Sequence, residues 1–326
     1  MVVLLGDLHL SSSKDYFREI SENIIDWLIG WEYNSPDNDL VFLGDLVDSA
    51  VNGGLVINWL EKMFAGLKFR SIHIVRGNHD YKKVDGLEQL AYEFLKSNTY
   101  PTVKIYEELT EVTIDGLKFL MMPHYSKTPD KPSMVQLYSK VYKTHKGPYD
   151  VVVGHFSDEK FPFGGDSVPE IDKINSTIIC LGHIHTRIDP EMYIGSVYPC
   201  KVSETNVNRA AWILDPSGDK TEVPLPKFAE YYHVRYPSDL PETDALVPIY
   251  SIYGANEQVA LSKYGNIYIR KTISSLEEKK SEALDSEIDI GDLDQKALFR
   301  EFVKVRATPM DRRVYTKCLS MLPDTN

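Results

Sequence analysis

The stretch LGDLHL at residues 5–10 and its near copy FLGDLVDS at 42–49 decide how this chain is read. Each is an apolar, strand-like run that breaks into Gly-Asp, leaving Asp7 and His9 after the first run and Asp45 and Asp48 after the second. A carboxylate at the end of a buried strand is expensive unless a partner neutralises it, and a metal ion is the obvious partner. Between the two runs, DYFREISENIIDWLIGWEY places Phe17, Ile20, Ile24, Trp27 and Leu28 at helical spacing, so the segment reads strand, helix, strand. The pattern recurs in GGLVINWLEKMFAGL, a predicted helix, and RSIHIVRGNHD, a predicted strand ending in Asn-His-Asp. Two such crossovers imply a parallel central sheet.

Farther along, LEQLAYEFLKS predicts a helix, and Asp115-Gly116 predicts a hairpin between strand-like runs. YDVVVGHF and STIICLGHIHT are two more apolar runs that end in Gly-His, and EMYIGSVYP, RAAWILD and KTEVPLP continue the β texture. These features predict a mixed, layered α/β unit over residues 1–223, bounded by Pro224 and Pro226. EYYHVRYP, LVPIYSIYG and GNIYIRKTI predict a small β-containing domain that runs with an acidic linker over 224–293. A basic amphipathic tail at 294–326 reads as helix, turn, helix with exposed apolar faces.

Composition narrows the class. With 43% hydrophobic and 26% charged residues the 326-residue chain is an ordinary folded protein. A formal net charge of -12 argues against coating nucleic acid by bulk electrostatics, although bound divalent ions reverse the sign locally. Cys180, Cys200 and Cys318 form no C-x-x-C pair, which suggests neither a zinc knuckle nor a disulfide framework. No leader pattern opens the sequence, and no apolar run approaches the roughly 20 residues that span a bilayer. A cytoplasmic location with no membrane contact is therefore expected.

The strand ends supply, in order, Asp7 and His9, Asp45 with Asp48, Asn78 and His79, His155, then His183 and His185. Residues just past strand C-termini in an α/β sheet converge on one crevice. Oxygen and imidazole donors without thiolate suit Mn²⁺, Fe²⁺ or Zn²⁺ in a catalytic rather than a structural role, with Asp45 as the bridge between two ions. Alternation along an extended chain puts Asp7 with His9, and His183 with His185, on a common side. Among the remaining histidines, His73 reads as packing or surface, His124 as a distant candidate for the crevice, and His145 and His233 as surface residues.

The ordered set GDLHL, GDLVDS, GNHD, GHF and GHIHT resembles the calcineurin-type metallophosphoesterase superfamily, with every position of that pattern filled. The resemblance implies a four-layer α/β/β/α domain and two divalent ions, with Mn²⁺ favoured. Asp7, His9, Asp45 and His185 would hold one ion, and Asp45, Asn78, His155 and His183 the other. His79 would be the catalytic histidine, oriented by Asp48. Within that superfamily the chain is most similar to the SbcD nuclease group, prokaryotic and phage relatives of the eukaryotic Mre-eleven repair nuclease. That similarity lies in GHIHTRIDPEMYIGSVYP, the strand pair RAAWILD and KTEVPLP, the small β-containing region and the helical tail. It implies a homodimeric exonuclease and endonuclease on double-strand DNA ends, a capping domain, and a tail that docks an SMC-type ATPase like SbcC or Rad-fifty. Two rivals stand beside it: a dimetal phosphatase or phosphodiesterase for a small molecule or phosphoprotein, and a noncatalytic scaffold for DNA ends.

Overall fold

The computed structural model describes residues 1–273 apart from 52, 86, 126–132, 140, 161–166, 188–191 and 206. The acidic stretch at 277–294 and the expected tail at 294–326 lie outside the described residues. Strands β1 (Val2–Leu5), β2 (Asp39–Phe42) and β3 (Ser71–Val75) are parallel and joined by α1 (Asp15–Gly30) and α2 (Gly54–Gly66), as the repeated strand-helix-strand pattern requires. A small hairpin of β4 (Tyr81–Val84) and β5 (Leu87–Leu90) follows, and β6 (Val103–Tyr106) then pairs parallel to β3.

That hairpin overturns the helix expected over LEQLAYEFLKS. Its first four residues, Leu87–Leu90, are a strand, and only Glu93–Lys96 coil, as one 3₁₀ turn. The helical spacing of the leucines is real, but Asp85 adopts a positive φ of 51° that turns the chain back on β4. Leu90, Tyr92 and Leu95 reach the core from this irregular path.

Next, β7 (Thr110–Ile114) and β8 (Leu117–Met122) form the hairpin expected at Asp115-Gly116, where both residues take positive φ. Short helices α3 (Met134–Tyr138) and α4 (Val141–Thr144) lead to β9 (Tyr149–His155), the two-residue strands β10 (Ser157–Asp158) and β11 (Ser167–Val168), and β12 (Ser176–Gly182). The pair β13 (Ala210–Leu214) and β14 (Lys220–Pro224) closes the unit. EMYIGSVYP is not the strand its texture suggests: of its described residues only Tyr193 bridges, to Leu181, and Gly195 turns the chain at φ 83°.

Two sheets stack face to face, ordered β14-β13-β1-β2-β3-β6 and β12-β9-β8-β7. Their strands read as continuous apolar runs because both faces are buried, with alternate residues serving different layers. Val2, Leu4, Val41 and Trp212 meet Phe119, Met121, Val151, Val153 and Cys180 between the sheets. Val3, Leu5, Leu40 and Phe42 face outward onto α1 and α2, while Leu120, Met122 and Val152 pack beneath α3. This is the four-layer α/β/β/α order. Each of these buried aliphatic side chains contributes roughly 1.5–3 kcal/mol by leaving water.

A third, all-parallel sheet of β15 (Ala229–Arg235), β16 (Val247–Tyr253) and β17 (Tyr268–Ile273), with α5 (Glu257–Tyr264) before its last strand, follows β14. Its inner residues Ala229, Tyr231, Val247 and Ile249 share the core of α1. Trp27 packs edge-on against Phe228 at 5.4 Å, and the Tyr268 hydroxyl donates to Glu19. Helix α1 is thus apolar on two sides because it lies between two sheets. No helix among the described residues is long and apolar enough to cross a membrane.

Candidate metal centre

The C-terminal ends of β1, β2, β3, β9 and β12 open onto one cleft of about 420 Å³, lined by Asp45, Asn78, His79, His183, His185, Lys201 and Glu204 among others. The loops after β1 and β2 are laced together: Leu8 N and His9 N both donate to the Asp45 carbonyl, at 3.0 and 2.9 Å, and Leu10 N donates to that of Leu46. His9, Asp45 and His183 take positive φ values of 44°, 47° and 82°. Non-glycine residues adopt that region at a cost of order 1–3 kcal/mol each, which the surrounding structure must sustain. Glycine precedes five of the candidate ligands, Asp7, Asp45, Asn78, His155 and His183, for a steric reason that two of these glycines show clearly. A Cβ on Gly77 would lie 2.1 Å from Asp45 Oδ1, and one on Gly182 would lie 2.6 Å from Asp7 Oδ1.

The side chains gather as two quartets about one oxygen. Asp45 Oδ2 is 3.1 Å from His155 Nε2 and 3.6 Å from His9 Nε2, while Asp45 Oδ1 is occupied by the His79 amide at 2.8 Å. On one side His9 Nε2 and His185 Nε2 converge to 2.9 Å, with Asp7 Oδ2 3.8 Å from His185. On the other, Asn78 Oδ1 lies 3.0 Å from His155 Nε2 and 2.9 Å from His183 Nδ1. All seven residues expected as ligands from the sequence therefore stand around one centre, and Asp7, Asp45 and His155 are fully or almost fully buried.

His79 and Asp48 sit at the lip. His79 Nδ1 donates to Asp48 at 2.6 Å, but to its main-chain carbonyl rather than its carboxylate, leaving Nε2 free for the cleft. The carboxylate turns instead to the Ser11 hydroxyl at 3.3 Å and to His9 Nδ1 at 3.8 Å. Asp48 thus orients His79 through the backbone, because the loop after β2 bends its side chain toward the loop after β1.

Over residues 1–187, more than half of the sequence, the chain matches the family model for calcineurin-like phosphoesterases. The chain belongs to the calcineurin-like phosphoesterase family. No curated protein matches it. Calcineurin-like phosphoesterases are dimetal hydrolases, and the donors present fit that chemistry. His155 Nδ1 donates to the Leu43 carbonyl at 2.7 Å, so once the ring gives up its second proton its Nε2 lone pair faces two oxygens that are themselves acceptors. Asp7 Oδ1 and His9 Nδ1 are buried with no hydrogen-bond partner. Lone pairs facing one another in a buried space call for a cation.

Protonation equilibria point the same way. Burial disfavours a charged imidazolium at His155, yet the Asp45 and Asp7 carboxylates outweigh it and hold the ring up to about 9. Burial likewise opposes charge on His185, which hydrogen bonds to Cys200 and Glu204 nevertheless push up to about 11. Asp45 titrates below the usual carboxylate range: burial works against its charged form, but His155 outweighs that. Burial raises Asp7 and sends His9 well below the ordinary histidine range. The centre gathers protons where the family places positive ions.

Sequence reasoning missed the residues that hold the ligands in place. Glu204 Oε1 lies 3.1 Å from His185 Nδ1, which leaves His185 Nε2 for an ion, and Glu204 Oε2 accepts from the Cys200 and Lys201 amides. Such carboxylate-histidine pairs fix the tautomer and aim of a ligand. Asp80 accepts from the Asp45, Leu46 and Gly77 amides at 2.8–3.0 Å and so joins the loops after β2 and β3. Its signal was in plain view as the last residue of GNHD. Glu204 carried none, since it reaches His185 only through the fold. Arg209 supports the same wall by donating to the His185, Ser196 and Glu204 carbonyls.

Other histidines lie elsewhere. His73 is buried between the sheets, hydrogen-bonded to Ser71 and Tyr106. His124 takes the Tyr81 hydroxyl at 2.9 Å while its carbonyl accepts from Arg76. His145 is beside Thr144, and the exposed His233 is beside Tyr253. Tyr193 is buried with its hydroxyl on the Asp158 amide, and Arg187 pairs with Glu222 at 2.7 Å.

Proposed function

We propose that this phosphoesterase is a DNA nuclease subunit, an exonuclease and endonuclease that processes double-strand ends with two Mn²⁺ ions. Asp7, His9, Asp45 and His185 hold one ion in this reading, and Asp45, Asn78, His155 and His183 the other. The observation that carries it is the pair of quartets meeting at Asp45 Oδ2, with the imidazole of His79 beside them in an open cleft. Bound ions of this kind supply a nucleophilic water at neutral pH and neutralise charge on the phosphate. His79 Nε2 then hydrogen-bonds the scissile phosphate or protonates the leaving oxygen, since Nδ1 is committed to the Asp48 carbonyl.

DNA as substrate is supported by the SbcD-like run after His183. That run is fastened beneath the centre: Ser196 N donates to the His185 carbonyl, Val197 N to that of Asp7, and the Tyr198 hydroxyl to that of His9. The third sheet, packed on α1, follows the phosphoesterase unit in the chain, which supports reading it as a DNA-capping domain. A homodimer in the cytoplasm and an SMC-type ATPase docked on the tail at 294–326 complete the proposal.

The test is digestion of end-labelled double-stranded DNA in Mn²⁺ by the purified chain and two variants. Cleavage is expected from the parent chain, with His79→Asn inactive at unchanged metal content and Asp45→Asn depleted of metal as well. A chain that hydrolyses a generic phosphodiester but leaves DNA intact would transfer the reading to a small-molecule or phosphoprotein phosphatase. Metal lost equally from both variants would refute the separate roles of His79 and Asp45.

A further inference from the structure

Cys200 stands outside every role described so far. Its Sγ and ring nitrogens of His9 and His185 all lie within 4.8 Å of one another, a spacing that could enclose one ion. The placement is built rather than incidental. Glu204, which aims His185 through Oε1, accepts the Cys200 amide with its other oxygen at 2.8 Å, so one carboxylate sets the position of both donors. The thiol makes a long contact of 3.8 Å to the Tyr198 carbonyl and hydrogen-bonds to His185. His9, 2% exposed, belongs to the same group and keeps a buried Nδ1 that makes no hydrogen bond, and the fully buried Asp7 keeps an Oδ1 that makes none either.

We propose that Cys200 supplies a thiolate to the ion held by His9 and His185, so that the two metal positions differ in chemical softness. On coordination the Sγ–metal bond forms and the thiol proton passes to water. A position with two imidazoles, two carboxylates and a thiolate favours Zn²⁺ or Co²⁺, whereas the position of Asp45, Asn78, His155 and His183 offers only nitrogen and oxygen and accepts harder ions such as Mn²⁺. The inference rests on the dimetal reading and deepens it by giving each position its own preference, in place of Mn²⁺ at both.

Cobalt distinguishes the two levels of the argument. The full-length chain is loaded with Co²⁺, its metal content is measured, and its absorption spectrum is recorded for the sulfur-to-cobalt charge-transfer band in the near ultraviolet. The parent chain should show that band. A Cys180→Ala, Cys318→Ala chain, with Cys200 as its remaining thiol, should keep it, and Cys200→Ser should lose it with the visible ligand-field bands retained. Two bound cobalt ions without a charge-transfer band would overturn the inference and leave the dimetal reading standing. A band that persists in Cys200→Ser, or vanishes from a folded Cys180→Ala, Cys318→Ala chain, would assign the thiolate elsewhere and overturn it too. A chain that takes up no cobalt would refute both.

Discussion

Replacing Glu204 by glutamine tests whether the centre depends on the residue that aims its histidine. The carboxylate is 7% exposed and meets His185 Nδ1 at 3.1 Å. It titrates below the usual carboxylate range, because hydrogen bonding and charge from His185 outweigh its burial. Glutamine keeps the shape and one acceptor oxygen but removes the charge that favours a strongly donating imidazole. Loss of an outer partner of this kind typically lowers metal affinity 10–100-fold, equivalent to about 1.4–2.7 kcal/mol. Glu204→Ala goes further by stripping the acceptor from the Cys200 and Lys201 amides, which adds roughly 1–3 kcal/mol of lost folding stability. Competition against a chromogenic chelator reads the affinity, and urea unfolding of the metal-stripped protein reads the stability. The glutamine variant should lose affinity with its urea midpoint nearly unchanged, and the alanine variant should lose both. Metal bound by Glu204→Gln within twofold of the parent would show that His185 needs no such partner, or that it is no ligand.

Two further outcomes follow from packing and from burial. Gly77→Ala would force a Cβ to within 2.1 Å of Asp45 Oδ1 and 2.3 Å of its amide, so the loop must shift: about 1–3 kcal/mol of stability and much of the metal affinity should go. Gly30→Ala, at the end of α1 with open space around it, should be neutral or stabilising by about 0.5–1 kcal/mol, and equal losses in both would refute the steric argument. Burial holds His73 down to about 4 from an ordinary 6.5, so below pH 6.5 the unfolded chain takes a proton that the folded one refuses. Stability is then fully present above pH 6.5 and drains away as pH falls toward 4. Between pH 7.5 and 5 the parent should lose about 2 kcal/mol more than His73→Gln in urea unfolding with chelator present, and parallel curves would remove His73 as the source.

The ligand set was legible because it obeys a local rule. Asp7, Asp45, Asn78, His155 and His183 each follow an apolar run and a glycine, and parallel order brings the first three to one edge of one sheet and the last two to one edge of the other, while the stacking of the sheets decides that these edges meet. The layers were legible for a similar reason: Val2 to Leu5 or Val151 to Val153 can be continuously apolar only if both faces of their strands are covered. Two segments misled. Leucine spacing in LEQLAYEFLKS satisfies a helix, but a positive-φ turn at Asp85 and pairing with β4 outweigh that preference. The texture of EMYIGSVYP satisfies a strand, but its described backbone serves the loops beneath the centre instead.

What the sequence determined by itself was the chemistry at the strand ends and the parallel order that brings those ends to one edge of each sheet. Tertiary structure alone decided which atoms aim them: Glu204 behind His185, three amides on Asp80, the main-chain rather than side-chain hold of Asp48 on His79, and the approach of Cys200 to His9 and His185. The difference is one of range. A ligand announces itself by its neighbours in the chain, whereas a supporting contact forms between segments up to tens or hundreds of residues apart, where no local pattern records which oxygen will meet which nitrogen.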